Sequence, residues 1–474
     1  MNKLLLLLIL GSIATFGQQR VYQRDKFEKE ILSNTLAEKQ YPSATRSKDK
    51  NNEIQNLALD ERKINNDFMK AAIKKNSQYI SIVESKNMPI EIFFNKNGEV
   101  DYLVYGFSSF DNRVFNGKKF LFDTLNTEES KVFYEVAEDF CKKYKCQLKG
   151  VENNYSFYIG LGFGKGQKKM SKKYISTIEM AENCTNPDTV KTLMLNKLYL
   201  TNFPEVVLRF KNLEKLDLSD NYIEQVPSKI WGLKKLKFLS LSGNYVDYTN
   251  FGFKRNKHLK DLNLQYTGMS KMPKSLKRNR RLEILFVGNN PIKFTDNDFN
   301  RMKRLKALNL YNVRTSTLPK SIGKLNNLEE LDLYYNNLQF LPIEVCRLAN
   351  LKTLALSNNQ LWNLPVEIAK MPKLQTLYAH HNRLNSLPNL PNLKFLDVGY
   401  NLFKVFPEQI YELQNLEEFD ITNNQVEEVP EKLLGLKKLQ KVYIRGNVFY
   451  KVNEKSKELS KLVADLEQRQ VLVR

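Results

Sequence analysis

The sequence predicts an α/β protein whose second half is a solenoid, a curved parallel sheet of about 12 repeats. A small α+β unit precedes the solenoid, and a helix caps its C-terminal end. Three observations predict this fold: leucines recur every 23 residues from residue 190, each repeat holds one short alternating pattern, and an amphipathic segment follows the last repeat. The 474 residues provide enough chain for such a stack and for a separate unit before it.

The first 17 residues have the three-part pattern of a secretory signal peptide. Lys3 gives a positive start, an apolar run covers residues 4–10, and small residues precede a cleavage point before Gln18. The alternative is a transmembrane anchor, which needs about 20 apolar residues, and this run decays before that length. We therefore expect a secreted or periplasmic protein that is soluble after signal-peptide removal and has no membrane span.

Two segments separate the signal peptide from the repeats. Residues 18–75 are polar and lysine-rich with weak helical patches, and we interpret them as a partly helical lead-in. Residues 76–166 predict a small α+β domain: a strand at 78–84, two strands joined at Asn97-Gly98, an amphipathic helix and a closing strand. The glycine-rich end of that last strand lacks the spacing of a phosphate-binding loop.

The four cysteines do not predict a disulfide scaffold or a zinc site, because their spacing fits neither. Cys141 and Cys146 could pair in an oxidising compartment only if the helix that carries Cys141 ends between them. That pairing stays open.

From residue 190 the chain repeats itself, and a position within a repeat is counted here from its opening residue. The repeats open at residues 190, 213, 236, 259, 282, 305, 328, 351, 374, 393, 416 and 439, a spacing of 23 broken once by 19. Position 9 is asparagine in nine of them: Asn221, Asn244, Asn290, Asn336, Asn359, Asn382, Asn401, Asn424 and Asn447. A buried amide there can satisfy turn backbone groups of two repeats. Leu198, Thr267 and Val313 depart from this pattern, and we expect an altered turn at Val313.

The best copies, at 328–350 and 351–373, match the pattern LxxLxLxxNxLxxLPxxIxxLxx. Over residues 190–451 the chain resembles the leucine-rich-repeat family, in its typical 23-residue class with one shorter bacterial-type repeat at 374–392. The resemblance implies a leucine-rich-repeat solenoid. Its exposed ends need caps, which we assign to residues 167–189 and to an amphipathic helix in residues 452–474.

Outward-pointing strand residues predict a binding surface on the concave face. Aromatic, acidic and histidine side chains concentrate between the repeats that open at 282 and 393, and tyrosine is typical of binding hot spots. The candidate partner-binding residues are Phe286, Tyr311, Tyr334, Tyr335, Glu330, Asp332, Tyr378, His380, His381, Phe395, Asp397 and Tyr400. The alternative is that exposed strand tyrosines only suit a pleated surface.

No catalytic, metal or cofactor site is predicted. The adjacent His380 and His381 are too few for a metal site, no GxSxG motif occurs, and residues 76–166 contain no histidine. We therefore expect a non-enzymatic scaffold that binds a protein or peptide.

Positive charge suggests a second binding mode. The net charge is +22, and residues 251–310 contain 15 lysines and arginines against 4 acids. The candidate polyanion-binding residues on this edge are Lys254, Arg255, Lys257, Lys277, Arg278, Arg280, Arg281, Arg301, Lys303 and Arg304. They could bind an anionic envelope or extracellular polymer; alternatively they form a solvated flank that keeps the protein soluble. Secretion argues against nucleic acid as the ligand.

Overall fold

The computed structural model describes residues 21–23, 67–68, 88–94, 97, 99–105, 114–115, 118–119, 127–144, 155–161, 174–248, 251–428, 430–452 and 457–474. The predicted signal peptide, the predicted strand at 78–84 and Cys146 lie outside these residues. The chain forms two compact units, Met1–Lys169 and Met170–Arg474.

The first unit contains a four-stranded sheet with the strand order β1-β3-β2-β6. The strands of this unit are β1 (Val21–Gln23), β2 (Met88–Phe94), β3 (Val100–Tyr105), β4 (Val114–Phe115), β5 (Lys118–Lys119) and β6 (Tyr155–Leu161). The antiparallel pairing of β2 with β3 confirms the predicted hairpin. The strand β1 was not predicted; it comes from the segment expected as lead-in and pairs parallel with β3.

In the described part of this unit, residues 67–68 are helical, and the helix α1 covers Thr127–Lys143. Its predicted apolar stripe is buried, including Phe133, Val136 and Phe140. The ring of Phe68 lies 5.0 Å from that of Phe140, edge to face. The helix therefore buries its apolar side, as its spacing predicts.

The second unit is built on a sheet of 13 strands that follow one another in chain order. The strands are β7 (Thr192–Met194), β8 (Lys215–Asp217), β9 (Phe238–Ser240), β10 (Asp261–Asn263), β11 (Ile284–Phe286), β12 (Ala307–Asn309), β13 (Glu330–Asp332), β14 (Thr353–Ala355), β15 (Thr376–Tyr378), β16 (Phe395–Asp397), β17 (Glu418–Asp420), β18 (Lys441–Tyr443) and β19 (Leu472–Val473). Neighbours pair in parallel at position 4, for example Leu193 with Leu216, and the short repeat pairs Leu377 with Leu396. The predicted leucine-rich-repeat solenoid is confirmed.

The return segment of most repeats begins at the proline of the LP motif. In the repeat that opens at 213, Pro227 precedes a 3-10 turn over Ser228–Gly232, and its carbonyl accepts from the backbone N–H of Ile230 at 3.0 Å. Ile230 is fully buried. Proline suits this position because its φ is fixed and it needs no donor partner.

The position 9 asparagines link consecutive repeats, as the sequence predicts. The Oδ1 atom of Asn359 accepts from the backbone N–H of Leu338 at 3.0 Å, and its Nδ2 group donates to the carbonyls of Leu333 and Leu356 at 2.9 Å each. One buried amide therefore satisfies backbone groups in its own repeat and in the preceding one.

The three repeats without this asparagine share an altered turn. In each of them position 10 takes a positive φ, at Tyr199, Gly268 and Arg314. The expectation of an altered turn at Val313 is thus met, and the alteration extends to the other two departures.

Short helices lie at both ends of the repeats that build the sheet. Before it, α2 (Ile178–Glu182) is capped by Thr177, whose side chain accepts from the backbone N–H of Met180. After it, α3 (Val448–Val452) and α4 (Lys457–Gln468) precede β19. α4 buries Leu459, Leu462 and Leu466 against the core of the unit, and β19 adds a last strand to the sheet beside β18.

Candidate functional site

The exposed face of the sheet, called here the strand face, is formed by positions 3, 5, 7 and 8 of the repeats. Each three-residue strand buries its central leucine-type residue and presents the residues on either side; in β13, Leu331 is buried between Glu330 and Asp332. Because neighbouring strands pair in register, equal positions form columns across the sheet. The predicted partner-binding residues occupy these columns.

Three tyrosines form one aromatic group on the strand face. The ring centroids of Tyr334 and Tyr335 are 5.5 Å apart, and the ring of Tyr311 lies 5.4 Å from Tyr335 and 6.4 Å from Tyr334. These residues come from adjacent repeats, at positions 7 and 8. Sequence reasoning placed them on one surface, and the structure brings their rings into contact.

A second group contains the two histidines. His381 stacks on Tyr400 with ring centroids 4.1 Å apart, and the rings of His380 and His381 meet edge to face. The Nδ1 atoms of the two histidines are 2.8 Å apart. The Tyr334 hydroxyl makes a hydrogen bond with Nε2 of His380 and so joins the two groups.

The contact between Tyr334 and His380 spans two repeats. Both residues occupy position 7, and the residue between them in that column is the small Ser357, which is fully buried. Its hydroxyl oxygen accepts from the backbone N–H of His380 at 3.1 Å. A larger side chain at this position would occupy the space through which the tyrosine hydroxyl reaches the imidazole.

Burial, with a smaller contribution from His381, lowers the pKa of His380 to about 4. The ring is therefore neutral at pH 7, so one of its nitrogens donates and the other accepts in the hydrogen bonds with Tyr334 and His381. The histidine pair is thus part of a polar network on the strand face.

Carboxylates at position 5 have a role in the scaffold. Oδ1 of Asp332 accepts from the backbone N–H of Tyr334 at 3.0 Å, and Oδ1 of Asp397 accepts from that of Gly399 at 3.1 Å. Asp420 accepts from Thr422 in the same way. One oxygen of each carboxylate therefore fixes the turn that follows its strand, and the second oxygen remains for other contacts.

The second oxygens differ in their surroundings. Oδ2 of Asp332 accepts from the Asn309 amide at 2.6 Å, and Oδ2 of Asp397 lies 4.0 Å from Nε2 of His380. Burial raises the pKa of Asp332 to about 6; burial, then repulsion from Asp420, raises that of Asp397 to about 7. Asp420 and Asn309 belong to this network although the candidate set omitted them. Their signal in the sequence was the same position 5 column.

Three of the predicted aromatics stay outside the ring groups. Phe286, Tyr378 and Phe395 lie on β11, β15 and β16 with part of each side chain exposed, but among the described residues none makes a ring contact with the two groups. Glu330 is exposed on β13 and has no ion pair among the described residues. These four extend the strand face beside the network.

Position 8 has a left-handed backbone in every repeat, with φ between 49° and 78°. Glycine, asparagine and aspartate tolerate this conformation best, and they occupy most of these positions. The exceptions include Tyr266, Tyr335, His381 and Tyr400, and the three tyrosines are 45%, 49% and 50% exposed. The scaffold therefore holds exposed aromatic rings where the backbone disfavours them.

The basic candidates lie in the segments between the strands. All ten are exposed except Lys277, which is half-buried. Lys254, Lys277 and Asn300 occupy position 19 of successive repeats, and Arg255, Arg278 and Arg301 occupy position 20.

The described part of the chain holds neither a metal-binding cluster nor a membrane-spanning helix. It contains no group of three or more histidine, cysteine, aspartate or glutamate side chains that could hold a metal ion. It also contains no helix that is long and apolar enough to cross a bilayer.

Two family models match the repeat region. The model described as "Leucine rich repeat" matches residues 188–246, and the model described as "Leucine-rich repeat region" matches residues 293–382. No curated protein sequence matches the chain significantly.

Solved structures also resemble the chain. The leucine-rich-repeat protein LIC12759 of Leptospira interrogans has 26% identity, with 60% of this chain and 84% of that chain covered and a TM-score of 0.48. The plant peptide hormone receptor RGFR1, solved in complex with RGF2, has 25% identity, with 58% of this chain and 46% of that chain covered and a TM-score of 0.45. An internalin (inlF) of Listeria monocytogenes has 18% identity, with 59% and 78% covered and a TM-score of 0.41. The period of 23, the in-register parallel sheet and the two matching family models agree: the second half of this chain is a leucine-rich-repeat region.

Proposed function

We propose that this protein is a secreted or periplasmic, non-enzymatic scaffold that binds a protein or peptide through its strand face between the repeats that open at 282 and 393. Leucine-rich-repeat proteins are typically protein-binding scaffolds. The pattern of residues 1–17 supports export, so extracellular and envelope extracts are the appropriate source of ligand.

The proposal rests on one observation: tyrosine side chains at position 8 are exposed although their backbone has an unfavourable left-handed conformation. A left-handed conformation costs an ordinary residue about 1–2 kcal/mol, and asparagine, which occurs at other position 8 sites, costs less. Folding alone gives no reason to hold Tyr335 and Tyr400 there half exposed. Contact with a ligand would explain the two exposed tyrosines, because rigid tyrosine side chains bury a large area at a small entropic cost.

The neighbouring groups support the same surface. The Tyr334 hydroxyl, the imidazole of His380 and the second oxygen of Asp397 are already ordered by contacts within the fold. A ligand that meets ordered side chains loses less conformational entropy on binding. Glu330 and Tyr378 extend this surface with an exposed carboxylate and an exposed ring.

The double variant Tyr335→Asn/Tyr400→Asn tests the proposal. We expect ligand binding to fall at least tenfold, because two hot-spot rings are removed. The unfolding free energy should stay within about 1 kcal/mol of wild type, because relief of the left-handed cost offsets lost ring contacts of about 0.5–1.5 kcal/mol each. Immobilised wild-type protein captures ligand from the extracts, and the captured species is identified and titrated against both proteins.

The matched control is Phe340→Asn/Trp362→Asn, which removes two exposed aromatic residues away from the strand face. It should bind as wild type does. Normal binding by the tyrosine variant, or an equal loss in the control, would show that the strand face is not the binding surface.

A further inference from the structure

Beyond the strand face, a pocket of about 420 Å³ lies in the segments between strands. The pocket is lined by Lys274, Lys277, Arg278, Asn297, Asn300 and Arg301. These are positions 16, 19 and 20 of two successive repeats, those opening at 259 and 282. Two lysines, two arginines and two asparagines therefore line one hollow, and its lining includes no carboxylate and no aromatic residue.

The four cations have no counter-ion within the part of the chain that the structure describes. Lys274, Lys277, Arg278 and Arg301 make no ion pair or side-chain hydrogen bond among the described residues. Lys260 and Lys306, at position 2 of the repeats that open at 259 and 305, are paired: they lie 2.7 and 3.1 Å from the carboxylate of Glu283. Like the pocket cations, the neighbouring Lys257 and Arg280 have no ion pair among the described residues, so the pocket belongs to a region with an excess of unpaired positive charge.

The acidic residues nearest in sequence to the pocket residues, Asp296 and Asp298, accept hydrogen bonds from other groups. The carboxylate of Asp298 is buried and accepts from the backbone N–H and the hydroxyl of Thr295 at 2.6 and 2.7 Å. Asp296 accepts from the backbone N–H of Lys320 at 3.2 Å. In later repeats, by contrast, the corresponding 3-10 turns contain a glutamate as their second residue, as at Glu344 and Glu367.

The two asparagine amides of the lining are hydrogen-bonded to each other. The Nδ2 group of Asn300 donates to Oδ1 of Asn297 at 2.6 Å, while Oδ1 of Asn300 accepts from Nζ of Lys324. The carbonyl oxygens of both amides are thus occupied, and the Nδ2 group of Asn297 has no hydrogen-bond partner among the described residues. A set of four cations with one free N–H₂ group can bind an anion that only accepts hydrogen bonds.

The backbone of this segment is unusual as well. Residues 297–301 lack the proline-initiated 3-10 turn. Arg301 has a φ of 75°, whereas every other described residue at position 20 has a negative φ. A non-glycine residue pays for this conformation. Arg301 adopts this unfavourable conformation at the point where its side chain lines the pocket.

We propose that this pocket is an anion site that binds phosphate or sulfate ester groups of an extracellular polysaccharide. The lysines and arginines at positions 19 and 20 of neighbouring repeats, including Lys254 and Arg255, continue the site along the solenoid and suit a polymer that carries repeated charges. A single-stranded nucleic acid is disfavoured, because such chains bind through stacked aromatic side chains and the pocket lining includes no aromatic residue.

The test uses the full-length protein with three dextrans of equal length: sulfated, phosphorylated and neutral. Wild type should bind at least one charged dextran at about 150 mM salt, and the neutral one not at all. Lys277→Gln/Arg278→Gln/Arg301→Gln should weaken binding at least tenfold and reduce the slope of log Kd against log salt by about two to three. Comparison of the two charged dextrans assigns the site to phosphate or sulfate.

The matched control is Lys404→Gln/Lys437→Gln/Lys461→Gln, which removes the same charge from exposed sites elsewhere in the unit. Its affinity should change less than twofold. Equal losses of affinity in both triple variants would show that net charge alone explains the binding and would overturn the site. Tighter binding of duplex DNA than of either charged dextran would also overturn the proposal.

A second readout does not depend on folding of a variant. Saturating charged dextran should protect Lys274 and Lys277 of the wild type from chemical acetylation and leave Lys404 and Lys437 reactive. Equal protection of all four contradicts the proposal. Tyr335→Asn/Tyr400→Asn should retain dextran binding, so failure of the strand-face proposal and failure of the pocket are separable.

Discussion

Single residues carry two kinds of information in this protein. Position 9 asparagines are buried and bonded to two repeats, and a reader of the sequence can assign that role from the column alone. The aspartates at position 5 are different. Asp332 and Asp397 serve the turns of their own repeats with one oxygen and face the polar network with the other. Their double role depends on rotamers and burial, which the column does not encode.

Asp397 predicts a pH dependence of stability. Its folded pKa of about 7 lies above the ordinary value of 3.8, so the native state binds more protons than the unfolded state between these two values. The free energy of unfolding contributed by this group therefore falls as pH rises from about 4 to 7. Asp397→Asn keeps an acceptor for Gly399 and removes the ionisable group, so its gain in stability should be larger at pH 8 than at pH 5.

Urea denaturation of both proteins at the two pH values checks this prediction. His380 acts in the opposite direction, because its lowered pKa makes its own contribution rise with pH, but subtraction of the wild-type curve removes the part common to both proteins. A gain of equal size at pH 5 and pH 8 would contradict a raised pKa of Asp397 in the native state.

At the scale of elements, the C-terminal helix α4 closes an otherwise open end of the apolar core. Leu459, Leu462 and Leu466 are buried, and the guanidinium of Arg469 donates to the carbonyls of Leu434 and Leu436. The spacing of the leucines predicted the helix. The pairing of β19 with β18, which extends the sheet beyond the last repeat, was not predicted, because two residues of a chain end carry no periodic signal.

Leu462→Asp should open this end. The variant loses about 2–3 kcal/mol of apolar burial and places a charge in the core, so we expect a destabilisation of about 3 kcal/mol or more. Hydrogen exchange should accelerate in β17 and β18 and remain slow in β8. Lys461→Asp, on the exposed side of the same helix, serves as control and should leave all three strands protected.

At the scale of the whole molecule, the repeats form a stack in which each strand contacts its two neighbours. Stability in such a stack is a sum of repeat terms and interface terms. The same chemical loss should therefore have different consequences in the middle of the stack and at its end.

Asn359→Ala and Asn447→Ala make this comparison. Each amide accepts one backbone N–H and donates to two buried carbonyls, so each loss should cost about 3 kcal/mol or more. Asn359→Ala should lower the main urea transition, whereas Asn447→Ala should chiefly increase hydrogen exchange in β18. The exposed Asn363 provides the control, Asn363→Ala, with little effect. Identical exchange profiles for the two buried variants would indicate one indivisible unit rather than a stack.

The amino-acid sequence alone determined the repeat period, the alternation within each strand, the asparagine column and the amphipathic helix at the end. Each of these is a local pattern or a recurrence at constant spacing, and regular stacking converts constant spacing directly into contact. The tertiary structure decided what spacing cannot state: the meeting of Tyr334 with His380 across a buried serine, the left-handed backbone under the exposed tyrosines, and the hollow shared by Lys277 and Arg301. These depend on side-chain rotamers, burial and the register of segments that lack the consensus, and therefore on the packed molecule as a whole.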